Sequence, residues 1–157
     1  MPYCHCCCML QTFTLRITLI FDVGADVDVG IGVHAGKNIA ECAARVKPSS
    51  RPLLITAVGG DAGADALVAG CAEAGIRSDG VVVMTEHRSA VYNAIHGGNG
   101  DLLYGVADME VFEALSWAQI YDQNKRSLDA ANLIVCDGNM SVDALRGLQG
   151  EYTSALT

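Results

Sequence analysis

The run Leu53 to Val58 constrains this chain most. It is short, uncharged and apolar except for Thr56, and Gly59-Gly60-Asp61 ends it at once. An apolar run that does not alternate is what a strand buried on both faces needs. The flanking sequence supplies the cover. Before it, Asn38 to Val46 predicts a helix, with Asn38 as the cap, Glu41 three residues later as in a capping box, and Ile39, Ala43 and Val46 on one face. After it, Asp61 can cap a helix that carries Leu67, Cys71 and Ala74 on one stripe, and Gly75 closes that helix at the C′ position.

The same alternation runs through the chain. Thr12 to Phe21 reads as a strand with one buried face, since Phe13, Leu15, Ile17 and Leu19 alternate with Thr12, Thr14, Arg16 and Thr18. Pro48 to Pro52 is a loop and Val81 to Met84 a strand. Ser89 to His96 and Leu102 to Val106 flank Gly97-Gly98-Asn99-Gly100 as a hairpin. Met109 to Ile120 and Gln123 to Ala130 read as two helices, Leu133 to Cys136 as a strand, Asp137-Gly138-Asn139 as a turn, and Ser141 to Leu148 as a capped helix. The order β-α-β-α-β, hairpin, α-β-α predicts an α/β fold, a doubly wound and mostly parallel sheet with helices on both faces. Residues 12–157 form one domain in this reading, preceded by a cysteine-rich extension, 1–11, with no fixed structure.

Charge and composition exclude some functions. A formal net charge of −8 argues against nucleic acid as a partner, because phosphate backbones need clustered Lys and Arg. No stretch reaches the roughly 18–20 apolar residues of a membrane span. The first 21 residues lack the basic start of a signal peptide, so a cytoplasmic protein is expected. Cys42, Cys71 and Cys136 are expected to be small buried hydrophobes. Cys4, Cys6, Cys7 and Cys8 contain one Cys-x-x-Cys spacing with no second pair, so no metal site is expected. The histidines His5, His34, His87 and His96 lie in separate contexts, none paired with a nucleophile in a recognisable elbow.

Sites in open α/β sheets lie beyond the carboxyl ends of the strands. Three turns qualify: Gly24 to Asp28, Gly59-Gly60-Asp61 and Asp137-Gly138-Asn139. Each sets glycine beside a carboxylate or amide, a combination that can accept sugar hydroxyls. Asp61 and Asp137 are expected to cap turns and helices; Asp28 is expected to be functional. Gly30 to Ala35 fits G-x-G-x-x-A, but the acidic residue that should end the next strand is missing, so a dinucleotide site is an alternative only. Gly30 to Asn38 misses a P-loop by one residue of spacing and by Asn in place of Ser or Thr.

The run Gly36-Lys37-Asn38-Ile39-Ala40-Glu41-Cys42-Ala43-Ala44-Arg45 resembles the first signature of the PfkB (ribokinase-family) carbohydrate kinases. In the pseudouridine-kinase branch it reads approximately G-G-V-G-R-N-I-A-E-x-L-A-R-L-G. Leu53 to Asp65 is similar to that family's strand, V-G-x-D turn and helix. Ser89 to Ala94, Gly100 to Leu102 and Ala107 to Met109 resemble its hairpin, and Leu133 to Asn139 the strand that follows. Gly24 to Asp28 looks like its opening G-x-N-x-D turn. The resemblance implies a kinase that uses ATP and Mg2+ to phosphorylate the 5′-hydroxyl of a sugar or nucleoside. It places Asp28 and Asn38 on ribose hydroxyls, counts Gly36 among the substrate-binding residues, and sets Tyr92 and Asn93 near the base or sugar. Some such kinases are fused to a pseudouridine-5′-phosphate glycosidase, so a fused domain or a dimer partner is implied as well.

The family's catalytic base and anion hole sit in a D-T-x-G-A-G-D motif, and no such motif occurs in these 157 residues. Val33-His34 replaces a Gly-Gly pair, Asp26 replaces an Asn, and the nine residues between Asp28 and Asn38 leave little room for the family's lid strands. A partial, N-terminal kinase fold with its lid largely missing is therefore expected, without catalysis of its own; a spliced or misassembled reading frame would explain the short spacing. The alternative is a non-catalytic sugar- or nucleoside-binding module. Half a doubly wound sheet also leaves an apolar edge and face uncovered, which predicts aggregation or dependence on a partner.

Overall fold

Every residue of β2 (Leu53–Gly59) is buried, because a parallel strand pairs with it on each side and helices cover both its faces. The computed structural model describes residues 17–20 and 35–152. On one side β2 pairs with β1 (Ile17–Ile20), Thr18 opposite Leu53 and Ile20 opposite Ile55. On the other it pairs with β3 (Arg77–Met84), Thr56 opposite Val81 and Val58 opposite Val83. The strand β6 (Leu133–Cys136) pairs with the far side of β1. The sheet thus runs β3-β2-β1-β6, with all three pairings parallel. The doubly wound parallel sheet is confirmed.

Side chains along β2 alternate between two cores. Leu54 and Val58 join Ala40 and Ala44 of α1 (Ala35–Val46) and Ala64, Leu67 and Cys71 of α2 (Ala62–Glu73). Leu53, Ile55 and Ala57 join Val111 and Phe112 of α3 (Glu110–Glu113), Ile120 and Leu128 of α4 (Trp117–Asp129), and Ala144 of α5 (Val142–Tyr152). The helix stripe expected on α2 is the buried one, and Gly75 follows it at a positive φ of 72°, as a C′ glycine does.

Several boundaries and faces differ from the sequence reading. Helix α1 starts at Ala35, so Asn38 lies within its first turn and does not cap it. Glu41 closes no capping box; it pairs with Lys37 at 3.0 Å and with Arg45, one turn to either side. The buried face of α1 is the small-residue row Gly36, Ala40, Ala44, whereas Ile39 and Val46 are exposed. Small residues let this helix lie close to the sheet, and the larger aliphatics fall outside that contact. Cys42 sits off this row and Cys136 ends the edge strand β6, so both are exposed; Cys71 alone of the three is buried, and burial pushes its thiol pKa up. Pro48–Ser50 forms one turn of 3-10 helix inside the expected loop.

The expected helix from Met109 to Ile120 is broken. Helix α3 stops at Glu113 and α4 starts at Trp117, so the stretch expected as a second helix at Gln123 is the later part of α4. Ser116 makes the break. Its Oγ accepts from the Gln119 N–H at 3.3 Å, and Gln119 Oε1 accepts from the Ser116 N–H at 3.0 Å, a reciprocal capping box. Asp143 of α5 adds a long-range partner, accepting from the Trp117 N–H at 2.7 Å. Ser116→Ala is therefore expected to cost about 1 kcal/mol. Chemical unfolding followed by Trp117, the only tryptophan, would measure it; an unchanged midpoint would show the box to be dispensable.

The hairpin is present and stands apart. β4 (Val91–His96) and β5 (Leu102–Asp108) pair antiparallel as a separate two-stranded sheet. Gly97 N–H donates to Asp101 O at 2.8 Å across the turn, and Gly100 holds a φ of 85° there. Apolar residues on both strands are open to solvent, including Ile95, Leu103 and Tyr104.

Candidate binding site at the carboxyl edge of the sheet

Because the four strands of the main sheet are parallel, their carboxyl ends, Ile20, Gly59, Met84 and Cys136, lie along one edge. Strand order reverses at β1: β2 and β3 extend to one side and β6 to the other. The crevice beyond such a switch point is the usual binding place in open α/β sheets. Helix α1 runs from this edge back to the start of β2, so its first turn brings Gly36 and Asn38 here. Gly36 is buried and Asn38 half-buried. Lys37 between them is turned to Glu41, and this hydrogen bond is the first cause of the lowered pKa of Glu41. Asp28, the turn Gly24 to Asp28, the Gly30 to Ala35 motif, Val33-His34 and the short lid segment lie outside the described residues or at their margin.

The turn after β2 is organised by Asp61. Its Oδ1 accepts from the Gly63 N–H at 3.0 Å, capping α2 as expected. The same carboxylate accepts from Ser89: from the hydroxyl at 2.6 Å and from the backbone N–H at 2.8 Å. Ser89 Oγ in turn accepts from the Gly59 N–H at 3.0 Å. Ser89 is buried, and hydrogen bonds from its hydroxyl and then its N–H hold the Asp61 pKa below the usual carboxylate range. The carboxylate is thus occupied by its own fold. Asp137 is used more locally, accepting from the backbone and side-chain nitrogens of Asn139 at 3.1 Å each.

On the hairpin, Tyr92 lies opposite Ala107 and Asn93 opposite Val106. Tyr92 is half-buried with its ring against Gly105, where a Cβ would collide with it. Asn93 is exposed. Consecutive strand residues point to opposite faces, so one of the two at a time can face the crevice. Ser89 is a structural anchor of this turn that sequence reasoning does not single out. It was read as the first residue of a strand, and nothing in its neighbours signals a partner 28 residues earlier.

Among the described residues, no group of three or more His, Cys, Asp or Glu side chains could hold a metal ion. No helix among them is long and apolar enough to cross a membrane.

Comparison with solved structures agrees with this geometry. A ribokinase from Giardia lamblia superposes with a TM-score of 0.70 at 20% identity, covering 90% of this chain and 49% of the ribokinase. A carbohydrate kinase from Agrobacterium tumefaciens superposes at 0.70 and 17% identity, covering 91% and 52%. A fructokinase from Xylella fastidiosa, solved with bound ATP, superposes at 0.70 and 18% identity, covering 90% and 49%. The chain thus has a ribokinase-like α/β fold and spans about half the length of the solved structures it matches. No family model matches the sequence, and no curated protein matches it.

Proposed function

We propose that this chain is the sugar-holding part of a ribokinase-like carbohydrate or nucleoside kinase, binding its ligand at the carboxyl edge of the sheet. The observation that carries this reading is the parallel sheet β3-β2-β1-β6, which superposes on three sugar kinases over about half of each. Asp28 and Asn38 would accept or donate to ribose hydroxyls, Gly36 would admit the sugar to the helix start, and Tyr92 or Asn93 would face it from the hairpin. The motif resemblance from Gly36 onward favours pseudouridine as the nucleoside and the ribose 5′-hydroxyl as the acceptor.

ATP and Mg2+ are what the motif resemblance implies as cofactors, and a fructokinase of this fold was solved with bound ATP. The 157 residues contain no D-T-x-G-A-G-D motif to stabilise transferred phosphoryl charge. Binding without turnover is the expected behaviour of this chain. Calorimetry with ribose, pseudouridine, ATP and NAD tests it. Ribose or pseudouridine should bind weakly, with Kd of about 1 mM, about −4 kcal/mol. Asn38→Ala should weaken that binding about 5–10-fold, the worth of one neutral hydrogen bond. Tight NAD binding would move the assignment to Gly30 to Ala35, and phosphorylation of a nucleoside by this chain alone would refute the loss of catalysis.

A further inference from the structure

Neither strand of the β4–β5 hairpin pairs with a strand of the main sheet among the described residues, so its direction is set where it joins the body. One root is apolar: Ala90, Val111 and Phe112 are buried together in the core beneath Ile55 and Ala57. The other root is polar and consists of Ser89, two residues before β4. Both hydrogen-bond donors of Ser89 go to Asp61, and its Oγ accepts from Gly59. Gly59 makes this possible by having no side chain, since His87 O and Ser89 N lie where a Cβ would be.

We propose that Asp61 is a positioning residue for the hairpin: through Ser89 it fixes the angle at which β4 leaves the main sheet, a role separate from its capping of α2. The inference holds whether or not a sugar binds. If the sugar reading is right, the same contact also sets the position of Tyr92 and Asn93.

The two roles of Asp61 can be separated chemically. The cap needs one oxygen facing Gly63, and asparagine supplies one. The contact with Ser89 needs both oxygens, because the second accepts from the Ser89 N–H. In Asp61→Asn an amide NH2 faces that N–H, so two donors oppose each other and that bond is lost, leaving the Ser89 hydroxyl alone to hold the root. The cap survives.

Amide hydrogen exchange of the full chain, read by NMR without ligand, tests this. In Asp61→Asn, exchange across 91–108 should rise about tenfold or more, the factor expected from losing a charge-assisted hydrogen bond. Exchange in α2 and β2 should stay as in the parent. Ser89→Ala keeps the N–H bond but removes the hydroxyl bond and the acceptor of the Gly59 N–H, so it should raise exchange in the hairpin and, within β2, at Gly59 alone; the double variant, which loses both bonds to Asp61, should raise hairpin exchange further. Unchanged exchange in the hairpin would overturn the proposal. So would an equal rise in α2, β2 and the hairpin, which would make Asp61 a general stability residue.

Discussion

Gly59→Ala is expected to destabilise the protein by about 3 kcal/mol or more, while the neighbouring Gly60→Ala costs under about 1 kcal/mol. In sequence the two glycines look alike, and neither has a positive φ. Their surroundings differ. A Cβ on Gly59 would lie 2.5 Å from His87 O and 2.5 Å from Ser89 N, both backbone atoms. Backbone cannot rotate away, so the 87–89 segment would have to shift. That shift breaks the Gly59 N–H to Ser89 Oγ hydrogen bond and loosens Ser89 from Asp61. Overpacking of about 1–3 kcal/mol then adds to about 1–3 kcal/mol for a buried group left unpaired. A Cβ on Gly60 meets first a methyl group, Thr85 Cγ2, at 3.3 Å, and a side chain at an exposed position can give. Against a domain stability of about 5–15 kcal/mol, the first substitution is severe and the second is not. Urea denaturation of both variants measures the difference. Equal midpoints would show that the 87–89 segment moves freely, and would weaken the assignment of Ser89 as an anchor.

The contrast between these glycines shows what the sequence could and could not reveal. Gly59-Gly60-Asp61 was legible as a turn and a cap because those are local signals. The reason Gly59 must be glycine lies 28–30 residues away. The same holds elsewhere. β2, β6, the C′ role of Gly75 and the hairpin turn were readable from short patterns. Helix α1 was misplaced by three residues because Asn38 looks like a cap. Its true packing row, Gly36, Ala40 and Ala44, carries little hydrophobic signal, since small residues bury little area. The break at Ser116 was written in a capping-box spacing, but the apolar period ran through it. The edge of the candidate site followed from strand order. Tyr92 and Asn93 did not: their neighbours in sequence say nothing of the direction in which a separate hairpin points.

Leu133→Lys is expected to turn a self-associating chain into a monomer. The main sheet has two edges, and they are guarded differently. The β3 edge carries an extra residue opposite Leu53–Ile55, a register shift that twists an edge away from flat pairing. It also carries the Arg77–Asp79 ion pair, and Gln123 of α4 donates to Asp79 O at 3.2 Å. Charges and bulges of this kind discourage strand addition. The β6 edge, Leu133 to Cys136, has no charge, and among the described residues it pairs with β1 alone. Leu133 is 45% exposed, so a Lys there can keep its aliphatic stem against the sheet while its ammonium reaches solvent at the open edge. Sedimentation velocity across a dilution series should show concentration-dependent association for the parent chain and its loss in the variant. The hairpin supplies the competing explanation, because Leu103 and Tyr104 are 57% and 69% exposed. If association persists in Leu133→Lys and disappears in Leu103→Lys, the hairpin and not β6 is the adhesive surface. A parent chain that melts sharply and reversibly as a monomer at every concentration would rule out both, because the uncovered sheet would then be stable in water as it stands.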